Sequence, residues 1–167
     1  MEQAYVLRLY DTDLLSFSLS EQGIEGLKAQ IHSIDEEDRA LFPLDLELTD
    51  DGLVKWLQRR VIPKNRAYVA EILKTYGLSV NDTKGIIDVC KGLSLNDSYW
   101  VVPQGFTGTF AQYNLYENRF SEILSLVAYT GIGQSDAAFT TSPELTTNGM
   151  LPKLSLIHIS EPTRPRL

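Results

Sequence analysis

Apolar and polar side chains alternate in two short segments near the start of the chain. Leu7 and Leu9 lie two apart within Ala4–Tyr10, as do Leu15, Phe17 and Leu19 within Leu14–Leu19. Period two sends successive side chains to opposite faces, so each segment predicts a strand with one buried face, and Asp11–Asp13 predicts the turn between them. Between Glu21 and Arg39 the spacing changes. Ile24, Leu27 and Ile31 stand three and four apart, which predicts a short helix, although Gly23 and Gly26 oppose it. Leu41–Leu48 (LFPLDLEL) predicts extended chain, with Pro43 confining it to an edge or a loop.

Helical spacing dominates the middle of the sequence. Thr49, Asp50 and Asp51 can cap a helix that carries Leu53, Val54, Trp56 and Leu57 on one side and Lys55, Gln58, Arg59 and Arg60 opposite. Pro63 ends that helix or opens the next, whose apolar positions are Tyr68, Val69, Ile72, Leu73 and Tyr76, with Gly77 as its stop. Asn81–Cys90 predicts a third helix through Ile86, Ile87, Val89 and Cys90, halted by Gly92. Ser98–Val102 predicts a compact strand ended by Pro103. After a loop holding Gly105 and Gly108, Asn118–Tyr129 predicts a last helix through Phe120, Ile123, Leu124, Val127 and Ala128. Gly131–Ser142 has the composition of a linker, and Asn148-Gly149 within Pro143–Lys153 signals a hairpin. The expected fold class is α+β, a small mixed sheet with several helices.

The final segment changes how much of the chain should be used. Leu154–Arg164 (LSLIHISEPTR) resembles the translation of a transposon-end sequencing adapter, so residues 154–167 are expected to be an artefact and are set aside. The expected organisation is an α+β region over 1–130, a linker and hairpin over 131–153, and the foreign tail. With Arg164, Arg166 and Glu161 removed, the 15 basic and 22 acidic residues fall to 13 and 21, and the charge moves from −7 to −8. Such acidity argues against a general binder of nucleic-acid backbones, which needs a basic face. It leaves room for a nucleotide site built from backbone amides and one lysine. Apolar runs are too short to cross a bilayer and the N-terminus lacks the pattern of a signal peptide, so a cytoplasmic protein with no membrane contact is expected.

Candidate chemistry is sparse. Cys90 is the only cysteine, which excludes an intrachain disulfide and a cysteine-rich metal site. His32, within the charged HSIDEEDR, reads as a surface residue. Trp56, Tyr68, Tyr99 and Trp100 read as core, and the Asp50–Asp51 and Glu36–Glu37 pairs as cap or loop residues without acid–base work. Arg59, Arg60, Lys64 and Arg66 form the densest positive patch, read as a solvated helix end or as an anion or partner contact. Thr146, Thr147, Asn148, Gly149, Met150 and Lys153 form the one candidate ligand loop, since hydroxyls, turn amides and a lysine suit a phosphate. The loop lacks the Walker and dinucleotide-binding spacings, and an ordinary surface hairpin fits it as well.

Four blocks together resemble HipA-like serine/threonine kinases: Gly52–Arg66 (GLVKWLQRRVIPKNR), Gly92–Pro103 (GLSLNDSYWVVP), Asn114–Glu122 (NLYENRFSE) and Ser142–Lys153 (SPELTTNGMLPK). The resemblance implies an N-terminal α+β portion followed by a kinase-like, mostly helical lobe, of which the hairpin would be the truncated start. In that family a loop of the form S-x-x-G-x-x-x-K lies against the phosphates of ATP. Thr146, Gly149 and Lys153 match it, with Thr146 standing where the family carries a serine that can be phosphorylated. The resemblance further implies that ATP and Mg belong to the intact parent, as do the lysine and carboxylates of phosphoryl transfer. No catalytic residue is expected in this fragment, and neither cofactor is expected to bind it tightly. It also implies a toxin of a toxin–antitoxin pair, with an antitoxin protein as partner and DNA reached only indirectly. The alternative reading is a non-enzymatic interaction module of a mobile element.

Overall fold

In the computed structural model, strand β1 (Gln3–Leu9) lies at the centre of the fold, hydrogen-bonded on both sides. The structure is described for residues 2–118 apart from 23–25, 36 and 67. Around β1 stand β2 (Thr12–Gln22), β3 (Gly26–Ile34) and β4 (Tyr99–Pro103), in the order β3-β2-β1-β4, with every pairing antiparallel. Helices α1 (Asp50–Arg60), α2 (Val69–Lys74) and α3 (Thr83–Cys90) lie between β3 and β4 in sequence, and α4 (Phe110–Tyr113) follows β4. The class is α+β as expected, but the sheet is wholly antiparallel rather than mixed.

Two bulges set the faces of this sheet. Leu7 pairs with Leu15 while Arg8 pairs with Asp13, so Leu14 is the extra residue in β2. Leu14 and Leu15 are consequently both buried, where strict alternation would have sent one to the other side. Phe17 pairs with Ile31 while Ser16 pairs with Ser33, which leaves His32 as the extra residue of β3. His32 is exposed, as its charged neighbours imply.

The helices bury one face of the sheet. Leu53, Trp56 and Leu57 of α1, Ile72 and Leu73 of α2, and Ile86, Ile87 and Cys90 of α3 pack against Tyr5, Leu7, Phe17, Leu19, Leu27 and Val101. Caps fix the helix starts: Thr49 Oγ1 accepts from Gly52 N–H at 3.0 Å, and Asp82 Oδ1 from Gly85 N–H at 2.7 Å. Gly52 is required by space, since a Cβ there would stand 2.3 Å from the carbonyl oxygen of Glu47. A second, smaller core covers part of the opposite face, where Val6, Trp100 and Val102 meet Leu93, Phe110 and Leu115.

Each sheet edge is tied at one point by a neighbouring element. Asp50, in the first turn of α1, accepts the outward N–H of Ile31 at 2.8 Å through Oδ1. On β4, Val101 N–H donates to Lys91 O at 2.7 Å, and Pro103 has no N–H to offer.

Several elements differ from expectation. The helix expected within 21–39 is β3, because Leu27, Ala29 and Ile31 alternate and pair with β2. Leu41–Leu48 begins inside a 3-10 turn at Arg39–Leu41 and makes turns rather than extended chain, the loop that Pro43 left open. α2 is only six residues long, and Tyr68 precedes it in a left-handed conformation (φ 59°) and is 46% exposed, not in the core. Within the expected loop, α4 forms behind a bond from Thr109 N–H to Gln112 Oε1. The helix expected over Asn118–Tyr129, beyond its first residue, and the linker at Gly131–Ser142 lie outside the described residues.

Candidate functional site

The candidate loop of Thr146, Thr147, Asn148, Gly149, Met150 and Lys153 lies outside the described residues, as does the segment from Leu154 onward. The candidate that can be followed is the positive cluster Arg59–Arg66, and the structure divides it. Arg59 makes a 3.2 Å surface pair with Asp45, and Lys64 Nζ donates to Asn81 Oδ1 at 3.1 Å. Arg60 turns inward.

Position 60 continues the 53, 56, 57 spacing of α1, so its side chain leaves on the apolar stripe rather than opposite it. Its side chain is 9% exposed. Nη1 and Nη2 grip the two carboxylate oxygens of Asp97 at 2.8 and 2.6 Å. Nε donates to Gly92 O at 2.6 Å, and Nη2 also to Tyr99 O at 2.9 Å. The guanidinium carbon stands 4.4 Å from the centre of the Trp56 ring. With its fork spent on Asp97 and two carbonyls, Arg60 organises the chain and is not presented to an external anion. Its burial corrects the expectation that Arg60 belongs to a solvated helix end or to an anion or partner contact.

Segments far apart in sequence meet at this node. Gly92, Asp97 and Tyr99 belong to the turn and strand before Pro103, and Tyr116 reaches in from beyond α4, its hydroxyl donating to Asp97 O at 2.8 Å. Burial, followed by the nearby Asp97 charge, pushes the Tyr116 phenol above its ordinary value. The same causes, in the same order, raise Tyr99.

Other ionisable groups serve packing. Tyr5 donates through its hydroxyl to Asp88, which also holds Lys84 Nζ at 2.9 Å. Burial, the bond to Asp88 and the Asp88 charge together raise the Tyr5 phenol well above its usual range, so it remains a donor and not a base. Burial pushes the Cys90 thiol up to about 11, which keeps it protonated and inert near neutral pH. Among the described residues, no group of three or more His, Cys, Asp or Glu side chains is placed to hold a metal ion. No helix among them is long and apolar enough to cross a membrane.

Glu21 and Asp82 make an acidic contact where β2 meets α3. Glu21 Oε1 accepts from Thr83 N–H at 3.2 Å, and Asp82 caps α3. Burial and then the adjoining Asp82 raise the Glu21 pKa, against the opposing effect of the Thr83 and Lys84 N–H groups. The folded state therefore holds the Glu21 proton more tightly than the unfolded chain does. The resulting stabilisation is fully present below the ordinary carboxylate pKa and is lost as pH rises through the higher, folded value. Glu21→Gln should stabilise the protein relative to wild type at pH 7, and the difference should shrink as pH falls toward 4. Urea unfolding of both proteins across that range checks this; a difference independent of pH would contradict it.

Among the described residues are two clefts that open to solvent. The larger, about 650 Å³, runs along Arg8, Asp13, Ser16, Ser33 and Gln104 on the sheet face away from the helices. Arg8 there is already paired with Asp13 at 2.5 Å. The other, about 320 Å³, lies between the β1–β2 turn and α4, with Tyr10, Asp11, Phe110, Tyr116 and Glu117 around it. Sequence reasoning missed it, because its walls come from residues 10–11 and 98–117 and no local motif joins them. Among the described residues the structure thus offers a braced scaffold with surface clefts, and no assembled nucleophile, base and charge-stabilising group. Compared with protein-family models, curated proteins and solved structures, the chain matches none of them.

Proposed function

We propose that the chain is the N-terminal portion of a HipA-like serine/threonine kinase, the toxin of a toxin–antitoxin pair, and that its α+β body braces the nucleotide-binding lobe. One observation supports this above the others. Three of the four blocks that carry the resemblance contribute to the Arg60 node: Arg60 from the first, Gly92, Asp97 and Tyr99 from the second, and Tyr116 from the third. Blocks that meet at one junction are what a shared scaffold would require. On this reading Thr146, Thr147, Asn148, Gly149, Met150 and Lys153 lie against the ATP phosphates in the intact parent, turn amides and lysine supplying the positive side. The Mg-holding carboxylates and the base that takes the proton from the substrate hydroxyl belong to the following lobe. An antitoxin protein would be the partner, DNA would be reached only through it, and the protein would work in the cytoplasm.

The test is to sequence the gene past codon 153, express the intact parent and measure transfer of labelled phosphate from Mg-ATP to a protein hydroxyl. Transfer by the parent, with none by residues 1–153, is the expected result, because positioned metal and charge supply almost all of this catalysis. A parent that binds Mg-ATP without transferring phosphate would overturn the kinase activity while leaving the fold assignment. A frame that closes soon after codon 153 would favour the interaction module of a mobile element.

A further inference from the structure

We infer that the 320 Å³ cleft between the β1–β2 turn and α4 receives an arginine side chain from an extended basic segment of a protein partner. Tyr10 and Tyr116 stand on its rim, 57% and 51% exposed, and Phe110 lies between them and the core. Exposed rings of this size are few on the described surface, and two of them share this cleft with two carboxylates, Asp11 and Glu117. No lysine or arginine lines it among the described residues. Aromatic faces attract a delocalised cation, and carboxylates give it charge-assisted hydrogen bonds. A planar guanidinium uses both at once, which a compact ammonium does less well.

The cleft is also preformed. Tyr10 holds a left-handed backbone (φ 51°), uncommon for a residue with a side chain. Its N–H donates to Ser98 O at 3.1 Å and its carbonyl accepts from Trp100 Nε1 at 2.5 Å, so the turn is pinned from two sides. Its ring meets Phe110 edge-on, with centroids 5.3 Å apart. Asp11 Oδ1 accepts from Phe110 N–H at 2.7 Å, which ties the turn to α4. Glu117 Oε2 lies 3.4 Å from Asn114 Nδ2, and its backbone N–H donates to Asn114 Oδ1 at 2.9 Å. The space suits one long side chain and opens to solvent along the rim, so the backbone bearing that side chain would lie across Tyr10 and Tyr116. The chain's charge of −7 draws a basic segment toward it. This inference stands apart from the kinase reading and survives its failure.

The experiment follows the amide shifts of the full 167-residue chain by NMR. It is titrated with a short capped peptide holding one arginine among basic and small residues, with the same peptide carrying citrulline, and with free arginine. Saturable shifts at Tyr10, Phe110 and Tyr116 with the arginine peptide are expected, weakened about three- to tenfold by citrulline and to a similar degree by D11N/E117Q. Both substitutions keep the size and the hydrogen-bond acceptors while removing charge. If D11N lowers the unfolding midpoint, E117Q alone carries the comparison, since among the described residues the Glu117 side chain makes only a 3.4 Å contact with Asn114. Equal binding of the citrulline peptide, equal binding by the variant, or no saturable shift would overturn the proposal. Free arginine binding as tightly as the peptide would overturn the protein-partner assignment.

Discussion

Arg60→Leu is expected to lower the free energy of unfolding by about 3 kcal/mol, the low end of what breaking a buried ion pair costs. Three losses contribute. Asp97 loses both bonds of a bidentate pair, and the carbonyls of Gly92 and Tyr99 lose charged donors in a largely dry site. Trp56 also loses the cation over its ring. The estimate stays at the low end because the Asp97 side chain is 32% exposed, and water can take up part of its charge. Arg60→Lys should fall between, since one ammonium cannot span Asp97 and two carbonyls. Arg59→Leu is the control: the same change of type one residue earlier removes a surface pair and should cost less than about 1 kcal/mol. Urea unfolding of the three variants decides the matter. Equal small costs for positions 59 and 60 would mean that the node does not hold the scaffold together.

Much of this scaffold is written in local patterns, and the failures have identifiable causes. β1 and β2 are legible because their apolar residues alternate over several positions, α1 because its cap and apolar spacing agree, and α3 because its apolar residues keep helical spacing up to Gly92. β3 is hidden by coincidence: Leu27 and Ile31 fit a helix and a strand equally, Ala29 is a weak apolar marker, and the bulge at His32 puts Ile34 out of phase. Pairing with β2, a tertiary event, decides it. α4 has four residues, too few for any periodicity. The place of β4 beside β1, some ninety residues earlier, left no trace in either segment alone. Arg60 was misplaced by its chemistry, since a charged residue was assigned to the polar side although its spacing matched Trp56 and Leu57. The cleft near Tyr10 exists only after β4 and α4 have been brought to the β1–β2 turn, so nothing short of the fold could reveal it.

Trp100→Ala should cost about 4 kcal/mol, within the usual range for deleting a buried aromatic side chain. Trp100 is fully buried on the sheet face away from α1, α2 and α3, where the second core is small and depends on it. Its ring meets Phe106, Phe110 and Tyr113 at centroid distances of 5.9, 5.8 and 5.9 Å, the first two edge-on and the third tilted. Its Nε1–H also satisfies the carbonyl of Tyr10, the residue whose backbone is left-handed, so truncation removes a brace as well as a filler. Trp100→Phe keeps most of the ring contact and loses the hydrogen bond, and should cost about 1–2 kcal/mol. The damage should be local before it is global. The helix-covered core contains none of these partners, so in Trp100→Phe the amides of residues 104–118 should exchange with solvent faster while those of β1, β2 and α3 keep their protection. A uniform rise in exchange would show that the two cores unfold as one unit, and the smaller layer would then not be the separable part of the fold.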